Sequence, residues 1–363
     1  MNKIFVVAGE TSGDLVGGWF FRDKAHKIFS KDISLEGVGG DALQACGMRL
    51  YRSYAELNVV GLVEIIKRLP AIFRVMHELV DYICAKNFTH VVLIDFPGFN
   101  LRLAQRLKQR NPSLKIIYLS PPQLWCWGQW KLKTLRTICD EIIVLYPFEV
   151  AWYRKHGVRV RYLGNPVFER LLPVISQQKN PVFRLGIFPG SRRQEVELFV
   201  PILSAVIAAL IKLQPTLEIC VFKAPHIDEV MLKPLMDVAP DQVRFVQSQD
   251  RIQYMQSCAV ALSKAGTVTL ELGLLGIPTI IYYKAHWLTY FIAKKLVSID
   301  KMGLPNIIMQ HDVMPEFIQH ECTTTNLVRA LQKLFDLWLK DSSTYEQECQ
   351  KFQELRDLFA QSE

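Results

Sequence analysis

The sequence predicts an α/β protein made of two doubly wound parallel-sheet domains. Three observations carry that prediction. Short apolar runs alternate with helical patterns along the whole chain. These runs fall into two series. Between the series lies a polar stretch with proline near both ends. Continuous β-rich runs separated by helices belong to parallel strands covered on both faces.

The first series consists of Ile4–Ala8, Val91–Ile94, Ile116–Leu119 and Ile142–Leu145. Each run is followed by glycine, proline or polar residues and then a helix-like stretch. The second series is Leu185–Phe188, Glu218–Phe222, Val243–Val246, Ala259–Leu262 and Thr279–Tyr282. The segment "LLPVISQQKNPVFR" (171–184) reads as the linker, which sets the domains at 1–170 and 185–341. The tail, 342–363, places Phe352, Leu355, Leu358 and Phe359 at helical spacing. A final amphipathic helix packing back on the body is expected there.

Composition narrows the class. A chain of 363 residues suits about two domains. Half the residues are apolar, enough for a sizeable core. The formal charge of +8 points to anionic partners: nucleotides, phospholipids or nucleic acid. Dispersed basic residues and the lack of an RNA-binding signature count against nucleic acid. Eight cysteines without a Cys-x-x-Cys pair argue against a zinc site or a disulfide framework, and for a reducing compartment. The start "MNKIFVVAGE" has too short an apolar run for a signal peptide, and Ile202–Ile211 is far short of a membrane span. A soluble or peripheral cytoplasmic protein is expected.

In open α/β sheets ligands bind beyond the C-terminal ends of the strands, so the chemistry should lie in residues just after strands, at a cleft between the domains. "FVVAGETSGD" (5–14) is a strand running into a turn that opens a helix. It is neither Gly-x-Gly-x-x-Gly nor a phosphate loop, and it sets Glu10 where a phosphate would sit. "IFPGSRRQEVE" (187–197) is strand, tight turn at Gly190, then helix. Its free amides favour an anion and Arg192 adds a fork suited to diphosphate. Equally, Ser191 and Gln194 form a local capping box that needs no ligand. "SKAGTVTLELGLLGIPTIIYY" (263–283) is more specific. Gly266 and Thr267 would present amides and a hydroxyl to a diphosphate. Glu271, one helical turn on, shares that face and can accept both hydroxyls of a ribose, or merely offset the helix dipole.

"HVVLIDFPGFNLRL" (90–103) ends a strand with Asp95. A carboxylate after four apolar residues is costly unless it is paired or lies at the cleft. It is a turn aspartate or a general base, and Asn100 could cap the next helix. The loop "LSPPQLWCWGQW" (119–130) crowds Trp125, Trp127 and Trp130 on the same rim, as sugar-stacking or acyl-lining aromatics or as packing anchors. "GLVEIIKRLPAIFRVMHELV" (61–80) sets Leu62, Ile65, Ile66, Leu69, Ile72, Phe73, Met76, Leu79 and Val80 on one face, with Lys67 and Arg74 nearly opposite. It is a core-facing helix or a basic amphipathic helix lying on an anionic membrane. Pro70 would break or kink it.

Taken together, "AGETSGD" (8–14), "GLVEII" (61–66), "IDFPGFN" (94–100), "SPPQLWCWG" (120–128), "PFE" (147–149), "PGSRRQEVE" (189–197), "GTVTLE" (266–271) and "LPN" (304–306) resemble the lipid-A-disaccharide synthase family over essentially the whole chain. The resemblance implies a GT-B glycosyltransferase fold, with two Rossmann-like domains facing across a cleft. It implies an inverting transfer from UDP-2,3-diacylglucosamine to the 6-hydroxyl of 2,3-diacylglucosamine 1-phosphate, with no cofactor and no required metal. It also implies work on the cytoplasmic face of the inner membrane of Gram-negative-type bacteria, with a homodimer as one assembly open to the chain. The nucleotide then belongs to the C-terminal domain, on Gly190, Ser191, Arg192, Gly266, Thr267, Glu271 and Asn306. The first turn is left to the acceptor, with Asp95 as base, Glu10 beside it, and Ser12, Trp125 and Trp127 around the sugar. Ile65, Ile66, Lys67, Leu69, Phe73 and Arg74 are the expected membrane contacts. Many members have Ser-Gly-Thr where this chain has Ala265-Gly266-Thr267 after Lys264, and many have an aspartate at the position of Gly98. The second departure points to Asp95 as the essential carboxylate. Rival readings are another GT-B enzyme on a UDP-amino sugar, such as a peptidoglycan-type transferase or a UDP-GlcNAc 2-epimerase, and a nonenzymatic nucleotide-sugar binder.

Overall fold

The computed structural model describes residues 2–30, 32–56, 62–177, 181–285, 290 and 300–361, and only the backbone of 62–69. The chain divides into two units, 1–166 with 361–363, and 167–360.

The first unit holds β1 (Asn2–Ala8), β2 (Ile33–Gly39), β3 (Arg49–Ser53), β4 (His90–Ile94), β5 (Lys115–Leu119), β6 (Glu141–Val144) and β7 (Arg161–Tyr162). They pair in parallel in the order β3-β2-β1-β4-β5-β6-β7. The second unit holds β8 (Val182–Phe188), β9 (Glu218–Val221), β10 (Val243–Phe245), β11 (Cys258–Lys264), β12 (Thr279–Tyr283) and β13 (Glu316–Ile318), in the order β10-β9-β8-β11-β12-β13, again all parallel. Both sheets are doubly wound, with the order reversing at β1/β4 and at β8/β11. Central strands are buried on both faces: Ile4 to Ala8 and Val91 to Ile94 are fully buried, which is why they read as unbroken apolar runs.

Four strands, β2, β3, β7 and β13, are absent from the apolar series. β2 carries Glu36 and Gly37 among its apolar residues, and Glu36 accepts hydrogen bonds from Tyr82 and Arg49. The edge strand β3, "RLYRS", is largely polar, as unpaired edges tend to be.

Two boundaries differ from the sequence reading. The division falls at Pro166/Val167, and 171–175 belongs to a helix, Pro166–Ile175, rather than a linker. Pro166 opens that helix, where a missing N–H costs nothing, and Phe168 and Leu171 anchor it by burial. The tail is two helices, Ser342–Gln350 and Gln353–Ala360, rather than one. It packs on the second unit: Tyr345 donates to the Ala259 carbonyl at 2.7 Å, Arg356 donates to the Leu274 carbonyl at 2.7 Å, and Phe352, Leu355 and Phe359 are buried.

The helix Arg193–Leu213 is long and apolar enough to cross a membrane, a longer apolar element than the run Ile202–Ile211 suggests. Its apolar face is spent on the second sheet, where Val196, Phe199, Leu203, Ile207 and Leu210 join the core. Phe199 meets the Tyr282 ring edge-on at 4.8 Å. Phe199→Ala should therefore cost about 3–5 kcal/mol of unfolding free energy. Leu198→Ala, at a half-exposed position on the same helix, should change it by less than about 0.5 kcal/mol. Denaturant titration of both variants checks this; equal effects would mean that the helix does not use this face.

Candidate active site

The first unit places its chemistry at the β1/β4 reversal. β1 ends at Ala8, and the helix Thr11–Trp19 begins after Glu10, whose backbone is extended. Gly9 lies under the Phe96 ring, so close that a Cβ there would fall 2.3 Å from it. Only glycine lets the turns after β1 and β4 approach this way. Glu10 accepts from the Ser12 hydroxyl at 2.7 Å. Asp14, the last residue of "AGETSGD", points elsewhere: it accepts from the backbone N–H groups of Gly40, Ala42 and Leu43, which pins the turn after β2.

After β4 come two consecutive non-glycine residues in the left-handed region, Asp95 (φ 48°) and Phe96 (φ 47°). Such geometry costs on the order of 1–3 kcal/mol per residue and persists only where neighbours enforce it. The enforcers are visible. Fully buried Asn100 donates to the carbonyls of Asp95 (2.8 Å) and Ile94 (3.2 Å), and Tyr118 donates to the Asp95 carbonyl at 2.8 Å. Asn100 therefore locks the strand end rather than capping the following helix. The Asp95 carboxyl is pushed up to about 6, first by burial and then by the negative charge and hydrogen bonding of Glu10, against a backbone N–H from Phe96. A carboxyl with that pKa at a strand's C-terminal end is suited to general-base work near neutral pH.

The loop after β5 resolves its tryptophans. Trp125 is buried and donates to Glu149 at 2.9 Å, so it is a packing anchor rather than a surface for a sugar. Glu149, of "PFE", also accepts from the Tyr146 N–H at 3.0 Å and caps the helix Pro147–Lys155. Burial raises its carboxyl to about 7. Trp127 is exposed, edge-on to exposed Trp130, with Lys131 over its ring. The helix Leu62–Ala85 runs through Pro70 without ending. Met76, Leu79, Val80 and Ile83 are buried, so this half faces the core, whereas Phe73 and Arg74 are exposed. Ile65, Ile66, Lys67 and Leu69 lie outside the described side chains.

The second unit places its chemistry at the β8/β11 reversal, around a cavity of about 260 Å³. Gly190, Ser191, Lys264, Gly266, Thr267 and Glu271 are among the residues lining it. Gly190 has φ 116°, a conformation that needs glycine. The space around Gly266 is open: a Cβ there would meet nothing within 4 Å. The helix Thr267–Leu274 starts at this open turn with no side-chain cap bond, and the Thr269 N–H already donates to the Gly266 carbonyl at 3.0 Å. Glu271 is clamped by Arg170 (2.7 Å) and Arg251 (3.1 Å). Arg251 in turn lies over the stacked rings of Phe188 and Phe222.

Three expectations change here. The helix after Gly190 has Arg192 as its N-cap and no side-chain cap bond, so the Ser191–Gln194 capping box does not form. Arg192 is 82% exposed and is not a fixed fork; its nearest carboxylate, Glu195, is 3.7 Å away. Asn306 is fully buried with its amide already engaged. It donates to the Met314 carbonyl and to Glu316, and it accepts from the N–H groups of Val313 and Met314, so its side chain holds a turn and is already fully engaged. The sequence reading missed Arg170 and Arg251, which meet Glu271 only through tertiary contacts, and Glu195, which lies within "PGSRRQEVE" itself.

A model of the lipid-A-disaccharide synthetase family matches residues 4–363. The chain is 31% identical over 344 residues to the lipid-A-disaccharide synthase of Geobacter sulfurreducens, covering 92% of this chain and 88% of the relative. It is 31% identical over 370 residues to that of Bradyrhizobium diazoefficiens, covering 99% and 92%. Among solved structures, the UDP-GlcNAc 2-epimerase from Neisseria meningitidis bound to UDP-GlcNAc superposes with a TM-score of 0.60 at 12% identity, covering 96% of this chain and 94% of that one. Spinosyn rhamnosyltransferase SpnG gives 0.60 at 12%, covering 99% and 96%. At such identities the likeness speaks to the fold, which is GT-B. Fold, ordered motifs and family match converge: this chain belongs to the lipid-A-disaccharide synthetase family of glycosyltransferases.

Proposed function

We propose that the chain transfers 2,3-diacylglucosamine from its UDP carrier to the 6-hydroxyl of 2,3-diacylglucosamine 1-phosphate, with inversion, at the cytoplasmic face of the inner membrane. The observation that carries the mechanism is the Asp95 carboxyl, raised to about 6 at the order reversal of the first sheet. Asp95 takes the proton from the acceptor hydroxyl as its oxygen attacks the anomeric carbon. The bond from that carbon to the diphosphate breaks, and UDP leaves with the electron pair. One base suffices because a single displacement inverts the centre. Glu10 positions the acceptor and tunes the base. In the second domain the open turn at Gly266 and Thr267 receives the diphosphate, and Glu271, held rigid by Arg170 and Arg251, accepts the ribose hydroxyls. Exposed Phe73 and Arg74, midway along the helix 62–85, support a membrane-facing role for that part of it.

Incubation with the acylated UDP donor and the monosaccharide 1-phosphate, followed by mass spectrometry, tests the reading. A disaccharide 1-phosphate is expected, and an epimerised UDP-sugar would overturn it. Asp95→Asn should lose about a hundred- to ten-thousand-fold in single-turnover rate while still binding UDP. The base must be ionised, so the parent's rate should fall as pH drops through about 6. Glu10→Gln removes a neighbouring negative charge and should move that acid limb to lower pH. An unmoved limb would separate Glu10 from the base.

Glu271→Gln should weaken UDP binding by about 1–3 kcal/mol in calorimetry, and unchanged affinity in a folded variant would remove it from the nucleotide site. Lys67→Glu with Arg74→Glu should reduce sedimentation with anionic vesicles, and the difference from the parent should narrow as salt rises. Parental sedimentation would make the whole helix a core element.

A further inference from the structure

At the wall of the cavity at the β8/β11 reversal, the lining residue Lys264 is paired with Glu195, an ion pair with no part in the mechanism so far. Lys264, the last residue of β11, lines the cavity directly before the open turn at Gly266. Its side chain runs past Gly190, where a Cβ would lie 3.8 Å from Lys264 Cδ. Its ammonium donates to Glu195 Oε1 at 2.9 Å, and each side chain is only 16% exposed. Glu195 stands in the first turn of the helix 193–213, and its second oxygen is buried with no hydrogen-bond partner among the described residues. That oxygen would sit 3.2 Å from a Cβ on Gly190. The pair thus ties together the turns after β8 and β11, and a carboxylate occupies the anion-favouring end of a helix. Arg192, the cation that the sequence offers for this task, is exposed and loosely held.

We propose that Lys264 is the cation that meets the diphosphate of the bound nucleotide, and that Glu195 is a stand-in anion that holds the ammonium in place while the cavity is empty. An ammonium has three donors, and one bond to Glu195 leaves two for phosphate oxygens. The incoming diphosphate brings more negative charge than the carboxylate and competes for the same cation. Glu195 keeps the lysine ordered beforehand, and its charge also opposes the diphosphate, so it tempers the affinity for released UDP.

The inference rests on the assignment of the nucleotide to the second domain, and calorimetry with UDP and with uridine tests the two separately. If the parent chain binds no UDP, that assignment fails and this inference fails with it. If the parent binds UDP, Lys264→Met should weaken UDP at least about tenfold, as for a lost charged hydrogen bond, with uridine affinity unchanged. Lys264→Arg should restore most of the difference, and Glu195→Gln should bind UDP several-fold more tightly. Removing one partner of a buried pair strands a charge. The double variant Lys264→Met/Glu195→Gln therefore removes both charges, and it should still bind UDP more weakly than the parent with uridine unchanged, by less than Lys264→Met alone. Parental UDP affinity in the folded Lys264→Met or double variant, or equal losses for UDP and uridine, would overturn the proposal.

Discussion

Each sheet begins in its middle and winds outward twice, and the arrangement of chemistry depends on that constraint. β1 and β8 are laid down first, their neighbours β2 and β9 extend one side, and β4 and β11 restart on the other. The connections leaving the two central strands diverge, so nothing crosses the gap above them. Glu10 and Asp95 face one such gap. The Gly190 turn, Lys264 and the Gly266 turn face the other. The same topology is built twice, and what differs is what the turns carry.

The first gap is furnished with carboxylates and the second with an open glycine turn and paired cations. A glutamate stands where many nucleotide-binding turns receive a phosphate, and its negative charge disfavours an anion there. Burial then converts the neighbouring Asp95 from an ordinary acid into one that exchanges its proton near neutrality. In the second domain the acidic residues are neutralised before any ligand arrives, Glu271 by two arginines and Glu195 by Lys264.

The fold was legible where strands are buried on both faces, since such strands cannot hide a polar residue. Strands with one wet side, such as β3, carry no such signature. Among the candidate site residues, Asp95 stood out because a carboxylate after an apolar run is costly without a reason. Glu10 stood out because it stands where a phosphate turn would be, and Glu271 because helical spacing sets it on the face of Thr267. Their partners did not. Arg170 and Glu271 are about a hundred positions apart, and only the folded chain brings them to 2.7 Å. Asn306 and Trp125 show the converse failure: a sequence displays polar atoms but not whether the fold has already consumed them. Asn100 was read as a helix cap because its position allows one, while its buried amide serves the strand end instead.

The left-handed pair at Asp95 and Phe96 also constrains how this protein can be engineered or can drift. A glycine or asparagine at 96 would adopt the observed backbone at lower cost, so a search for heat-tolerant variants would favour those residues. Either would also lift the aromatic lid from Gly9 and loosen the approach of the two turns that sets Glu10 beside Asp95. The backbone cost at position 96 and the packing of the two turns therefore pull in opposite directions at a single side chain.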